Sequence, residues 1–381
     1  METIQPTLKN GRNVWDRINM PEGEFQERLK KIRKGMKRER LDLLLLYGHG
    51  FDGYGNYTYL GNYVIRLARG ALVVLPLRGE PALIFEGASR GIPSIRKTTW
   101  IEEIRAGWDV SKECVKFLEE KQLVPSTVGL IGIKSLMPCD QLQFLRDSLK
   151  GSKVLDVDPL LREMRMVKSQ REIDQVRRAA RILSRAFAAL SGIAFPQVNE
   201  KTLEGTLYRE VRIEGAEDFR MMIGRPKAEP WSFRPADERT ILPGETVVLY
   251  LAVEFERYWA EASRTFVAKE NTLAGVERED FNAWYGRIIK LLRPGKTASE
   301  FQKEVIAQIR KEKVEYLSDY GLGQGIGLSP RESPSLSKED KTALKEGMCL
   351  TLRLLVKDEG LGAMMIGNTL LLTKKGPQIL T

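Results

Sequence analysis

The chain has 381 residues, 42% hydrophobic and 29% charged, the balance of an ordinary globular protein long enough for two domains with separate cores. No stretch reaches the roughly eighteen uncharged apolar residues of a membrane span, and the N-terminal METIQPTLKNGRNVWDR lacks the apolar run of a secretory signal, so a cytoplasmic protein without membrane contact is expected. The 61 basic and 51 acidic residues leave a net charge of +10, but they alternate along helices and no basic run interleaves with aromatics, so nucleic acid is not the expected partner.

In chain order, Phe25, Leu29, Ile32 and Met36 fall on one stripe of a helix over 23–40, and the apolar run from Leu43 to Tyr47 reads as a buried strand. Runs at Ala71–Leu75, Ala82–Phe85, Val128–Ile131 and Val154–Val157, with a helix at Lys112–Lys121, continue an α/β pattern to about Asp158. His49, the one histidine, stands in the glycine-rich YGHGFDGYG and reads as a loop residue bonded to local backbone. Histidine is the commonest transition-metal ligand and neutral-pH base, so a chain with one has given up most of that chemistry. Cys114, Cys139 and Cys349 lie far apart and outside metal-ligand spacing, which predicts free thiols.

After Pro159 a long helix spans Ser169 to Leu190, opened by Ser169 and Glu172 as a capping box. A helix over 200–215 follows, then strands at Thr246–Val253, Tyr258–Val267, Met348–Val356 and Asn368–Leu372, with helices at Arg278–Leu292 and Ser299–Lys313 between them. The expected organisation is an α/β domain over 1–158 and an α+β domain over 159–381.

Several phrases of the second domain carry a resemblance: MVKSQREIDQVRRAARI, VVLYLAVEFERYWAEASRTF, GLGQGIGLSPRESP, EGMCLTLRLL and MMIGNTLLLTKKG. In this order they resemble the pita-bread metallopeptidases of the aminopeptidase P, prolidase and creatinase type. The resemblance implies a creatinase-like N-terminal α/β domain, a pita-bread C-terminal domain and a homodimer. It also implies five metal-ligand positions, and none keeps its usual residue. The two aspartate positions hold Tyr250 and Glu261, the histidine position Gln324, and the two glutamate positions Arg353 and Gly367. Two dications need several carboxylates to offset their charge, so no metal and no other cofactor is expected here.

Creatinase works without metal through a histidine, and that position holds Trp231, while the other usual histidine positions hold Tyr320 and Arg331. One arrangement lets Arg353 pair with Glu261 in the place of the lost ions. Another lets Arg264, Arg331 and Arg353 converge on a small anionic ligand between Trp231, Tyr250 and Tyr320. A salt-bridged, filled core with no ligand is the plain alternative. Glu332 is the one family acid retained, and with Glu261, Tyr250 and Tyr320 it completes the catalytic candidates. The preferred expectation is a pseudoenzyme; the rivals are a metal-independent hydrolase or lyase on a small amino-acid-like or guanidino substrate, and a protein or nucleic-acid interaction module.

Overall fold

The computed structural model describes residues 14–50, 52–64, 67, 69–190, 199–227, 232–269, 272–276 and 278–381. The chain divides into two compact units, Met1–Arg165 and Met166–Thr381. The division falls seven residues beyond Asp158, because the helix Asp158–Met166 packs in the first unit: Leu160 lies against Gly35 with no room for a Cβ between them.

The first unit holds helices α1 (Glu22–Arg38), α2 (Tyr54–Gly61), α3 (Ile92–Arg96), α4 (Val110–Glu120), α5 (Ile133–Leu136), α6 (Cys139–Ser148) and α7 (Asp158–Met166). Its strands are β1 (Leu43–His49), β2 (Gly70–Pro76), β3 (Ala82–Glu86), β4 (Glu103–Gly107), β5 (Thr127–Ile131) and β6 (Lys153–Asp156). They form one mixed sheet in the order β4-β3-β2-β1-β5-β6, in which β2 runs antiparallel to both neighbours. The apolar runs read from the sequence are its four central strands and the edge strand β6, and Leu43, Leu45, Leu72 and Val128 share a core with Phe117 of α4. His49 is not a loop residue: it closes β1, opposite Gly70. The helices α2 and α6 and the strand β4 went unread because each is short and weakly patterned.

The second unit holds α8 (Gln170–Ala189), α9 (Glu200–Ile213), α10 (Glu279–Ile289) and α11 (Ala298–Lys311). Its strands are β7 (Asp218–Gly224), β8 (Thr246–Phe255), β9 (Tyr258–Ala268), β10 (Leu273–Gly275), β11 (Gln324–Gly325), β12 (Glu332–Ser335), β13 (Cys349–Asp358), β14 (Gly362–Thr373) and β15 (Gly376–Ile379). The sheet runs β12-β11-β13-β14-β9-β8-β7, with β10 added to β9 and β15 to β14. The capping box of α8 forms as read: the Glu172 N–H donates to Ser169 Oγ at 3.2 Å, and the Ser169 N–H to Glu172 Oε2 at 2.9 Å. The other Glu172 oxygen accepts from the Tyr258 hydroxyl at 3.0 Å, tying the helix start to β9.

Strand alternation sorts this sheet into two faces. Leu249, Leu251, Val253, Ala260 and Ala262 pack against α8 and α9, while Leu350, Leu352 and Leu354 pack against α10 and α11. Full burial of each leucine contributes roughly 1.5–3 kcal/mol. The other face carries a small apolar group, Val248, Leu355, Ala363 and Met365, with Phe233, Leu317 and Tyr320 against it.

Candidate functional site

Register decides which residues share that second face. In β8 and β9, Tyr250 lies opposite Ser263 and Ala252 opposite Glu261; in β13 and β14, Arg353 lies opposite Gly367, which in turn lies opposite Ser263. Tyr250, Glu261, Ser263, Arg353 and Gly367 therefore share one face of four adjacent strands. Gly367 makes the room: a Cβ there would stand 3.1 Å from the Arg353 Cβ and 3.3 Å from Ser263 Oγ.

The polar groups on this face bond to one another. Tyr250 donates its hydroxyl to Glu261 Oε2 at 2.7 Å, and Arg353 Nη1 donates to Glu261 Oε1 at 2.9 Å. Arg353 Nη2 donates to Gln324 Oε1 at 2.6 Å, and its Nε to the Tyr320 carbonyl at 3.1 Å. Gln324 reaches this point because β11 pairs directly with β13. Gly323, at φ +144°, leaves no space for a Cβ beside the Thr351 carbonyl, and Gln324 N donates to Thr351 Oγ1 at 3.2 Å. Burial first, and then the Glu261 carboxylate, hold the Tyr250 hydroxyl well above the ordinary phenol value, against a smaller opposing pull from Arg353 and Arg220. Burial likewise pushes Tyr316 up to about 12, with Arg353 opposing.

The remaining candidates lie apart from this chain of bonds. Glu332 Oε2 pairs with Lys168 Nζ at 2.9 Å, and its Oε1 accepts from the Ser329 N–H at 3.2 Å. Nothing local marks Lys168 as that partner, since 164 positions separate the two. The convergence of three arginines does not occur. Arg264 sits opposite Leu249 on the helix-covered face, because it is an odd number of residues from Glu261 along β9, and Arg331 is exposed. Tyr320 offers its backbone carbonyl to Arg353; its hydroxyl accepts from the Phe233 N–H at 3.3 Å, and its ring meets Phe233 edge-on. Trp231 lies outside the described residues. Sequence reasoning missed Arg220, which shares the face with Tyr250 through β7 and stands 4.6 Å over the Trp259 ring.

The donor set at the five positions is a phenol, one carboxylate, a carboxamide, a guanidinium and a glycine. The carboxylate already accepts from two donors. This set does not fit a pair of hard dications, which take several carboxylate or imidazole ligands. Among the described residues no three His, Cys, Asp or Glu side chains gather as a metal would require.

Comparison with known proteins settles ancestry. The profile of metallopeptidase family M24 matches residues 174–374, and that of the creatinase/prolidase N-terminal domain matches residues 28–167. The chain belongs to metallopeptidase family M24. This M24 chain is 25% identical over 369 residues to a Xaa-Pro dipeptidase of Pyrococcus horikoshii, covering 94% of this chain and 97% of that one. It is 24% identical over 392 residues to the agropine synthesis cyclase of Rhizobium rhizogenes, with 94% and 95% covered. The crystal structure of the prolidase from Pyrococcus horikoshii OT3 superposes with a TM-score of 0.76 at 22% identity, over 93% of this chain and 98% of that one, a likeness of fold. The pita-bread architecture with a creatinase-type N-terminal domain, expected from the five phrases, is thereby established. Among the described residues no helix is long and apolar enough to cross a membrane.

Proposed function

We propose that this M24 chain is a metal-free homologue of the Xaa-Pro peptidases, inactive on peptide bonds, whose former centre is a small-ligand site closed by a fixed internal cation. The observation that carries this reading is the Arg353 guanidinium, bonded at once to Glu261 and Gln324. A bound metal pair needs carboxylate charge free to meet it, and here the one carboxylate at the five positions is neutralised by a side chain that cannot deprotonate. Apolar walls from Val248, Leu355 and Met365 adjoin the polar chain, and Arg220 stands on the same face with 45% of its side chain exposed. Such a mixed lining suits a small ligand bearing a carboxylate.

Elemental analysis of the purified protein, with thermal-shift titrations of manganese, cobalt and zinc, tests the reading. No bound metal, no shift and no Xaa-Pro hydrolysis with any of the three is the expected result. One or two tightly held equivalents with chelator-sensitive hydrolysis would overturn it.

A second reading, a metal-independent enzyme acting on a small amino-acid-like or guanidino compound, draws on two observations. A relative matched over nearly the whole chain is named for a synthesis cyclase, not a peptidase. The Tyr250 hydroxyl also donates to a carboxylate that Arg353 anchors, an arrangement that keeps Tyr250 protonated and makes it a proton donor once a substrate takes the place of Glu261 as its acceptor. Loss of any turnover found by substrate screening in the Tyr250→Phe variant supports this reading, and full turnover removes Tyr250 from it.

A further inference from the structure

Arg264, placed away from the Glu261–Arg353 pair, lines a cavity with a volume of about 420 Å³. Its apolar walls include Phe187 from α8, Phe266 from β9, Phe281 from α10, and Met364 and Ile366 from β14. Phe187 and Phe266 stack at 6.2 Å, and the Arg264 Cζ stands 5.5 Å over the Phe187 ring. Asn282 adds an exposed amide to the lining.

Among the described residues the guanidinium has neutral hydrogen-bond partners. Arg264 Nη1 donates to the Ser263 and Gly367 carbonyls at 2.8 and 2.6 Å, and Nη2 to Asn368 Oδ1 at 2.7 Å. Among the described residues no carboxylate pairs with it and no acceptor takes its Nε–H. Gly367 and Asn368 are neighbours on β14 and receive the Nη1–Nη2 end of the fork. The Nε–H and the remaining Nη2–H then share the free side edge, which suits two-point binding of a carboxylate. Burial pulls the Arg264 pKa below the ordinary guanidinium value, opposed by Tyr285, in keeping with a charge that meets no carboxylate among the described residues. A half-buried cation beside apolar walls gains from an anion that joins it.

We propose that this cavity binds a small monocarboxylic acid with an apolar tail, its carboxylate meeting Arg264 and its tail lying against Phe187, Phe266 and Phe281. The volume equals that of about fourteen waters at ~30 Å³ each, which suits a medium-chain or aryl-alkyl acid. Thr265 and Met365 border the cavity from the other face of the sheet, but none of Tyr250, Glu261, Gln324 and Arg353 lines it, so this inference stands whether or not the proposed function does.

Isothermal titration of the full chain with octanoate and phenylpropionate, beside their primary amides, tests it. At least one acid should bind roughly tenfold or more tightly than its amide, since only the acid neutralises Arg264. Arg264 also ties β9 to β14, so its replacement endangers the fold. The deciding variant is Gly275→Trp, at a cavity-lining position whose added Cβ would meet only Phe266 Cε1, at 4.0 Å. It should weaken acid binding roughly tenfold or more with the melting temperature unchanged. No binding of either acid, equal binding of acid and amide, or undiminished binding to a folded Gly275→Trp protein would each overturn the proposal.

Discussion

Arg353 and Glu261 form an ion pair at 2.9 Å with 13% and 5% of their side chains exposed. Removing one partner leaves the other charge in a poorly solvated place without its counter-charge, which costs about 3 kcal/mol. Arg353→Met should lower unfolding free energy by about that amount, and the Glu261→Met, Arg353→Met double variant should lose less than the two single losses together. Urea unfolding of the four proteins measures the coupling. Strict additivity would mean that the pair is not energetically joined.

A second pair, Lys168 with Glu332, is more deeply buried, with 1% and 5% of the side chains exposed. Lys168→Met is expected to cost about 3–5 kcal/mol. Were Glu332 instead a solvated acid awaiting substrate, the change would stay within about 0.5 kcal/mol. A shift in the denaturation midpoint separates the two outcomes.

Tyr250 fixes an alkaline limit. Its hydroxyl is held well above the ordinary phenol value, first by burial and then by Glu261, so the folded state favours the neutral phenol. That stabilisation is complete below the unfolded phenol's pKa and is lost as pH rises toward the folded value, because the unfolded chain releases the proton first. Above about pH 10, wild-type stability should fall more steeply than that of Tyr250→Phe by about 1.4 kcal/mol per pH unit. Parallel pH profiles for the two proteins would remove Tyr250 as the cause.

The three cysteines should divide one against two. Burial pushes the Cys114 and Cys349 thiols up to about 12, and both are fully enclosed, whereas Cys139 is exposed. A thiol reagent should label one equivalent in native protein and three after unfolding. Rapid native labelling of more than one would show that a buried thiol opens to solvent.

Much of the fold was legible in local pattern. The stripe Phe25, Leu29, Ile32 and Met36 announced α1, and Ser169 with Glu172 announced the start of α8, because periodicity and capping depend on residues a few positions apart. The strand β7 escaped notice because DFRMMIG neither alternates cleanly nor forms an uninterrupted apolar run. The pairing of Glu261 with Arg353 was proposed from matched positions, while the side of the sheet on which Arg264 falls was readable from strand parity and was missed.

The sequence by itself determined the order of the main elements and, through its five phrases, the family, and it singled out Tyr250, Glu261, Gln324, Arg353 and Gly367 as candidates. Only the tertiary structure decided their partners. Arg353 meets Glu261 and Gln324 through strand register, and Lys168 meets Glu332 across 164 positions. The physical reason is that a side chain's face follows from its own strand, but its neighbours follow from which distant strands pair and in what register, and burial of the whole sheet selects that register.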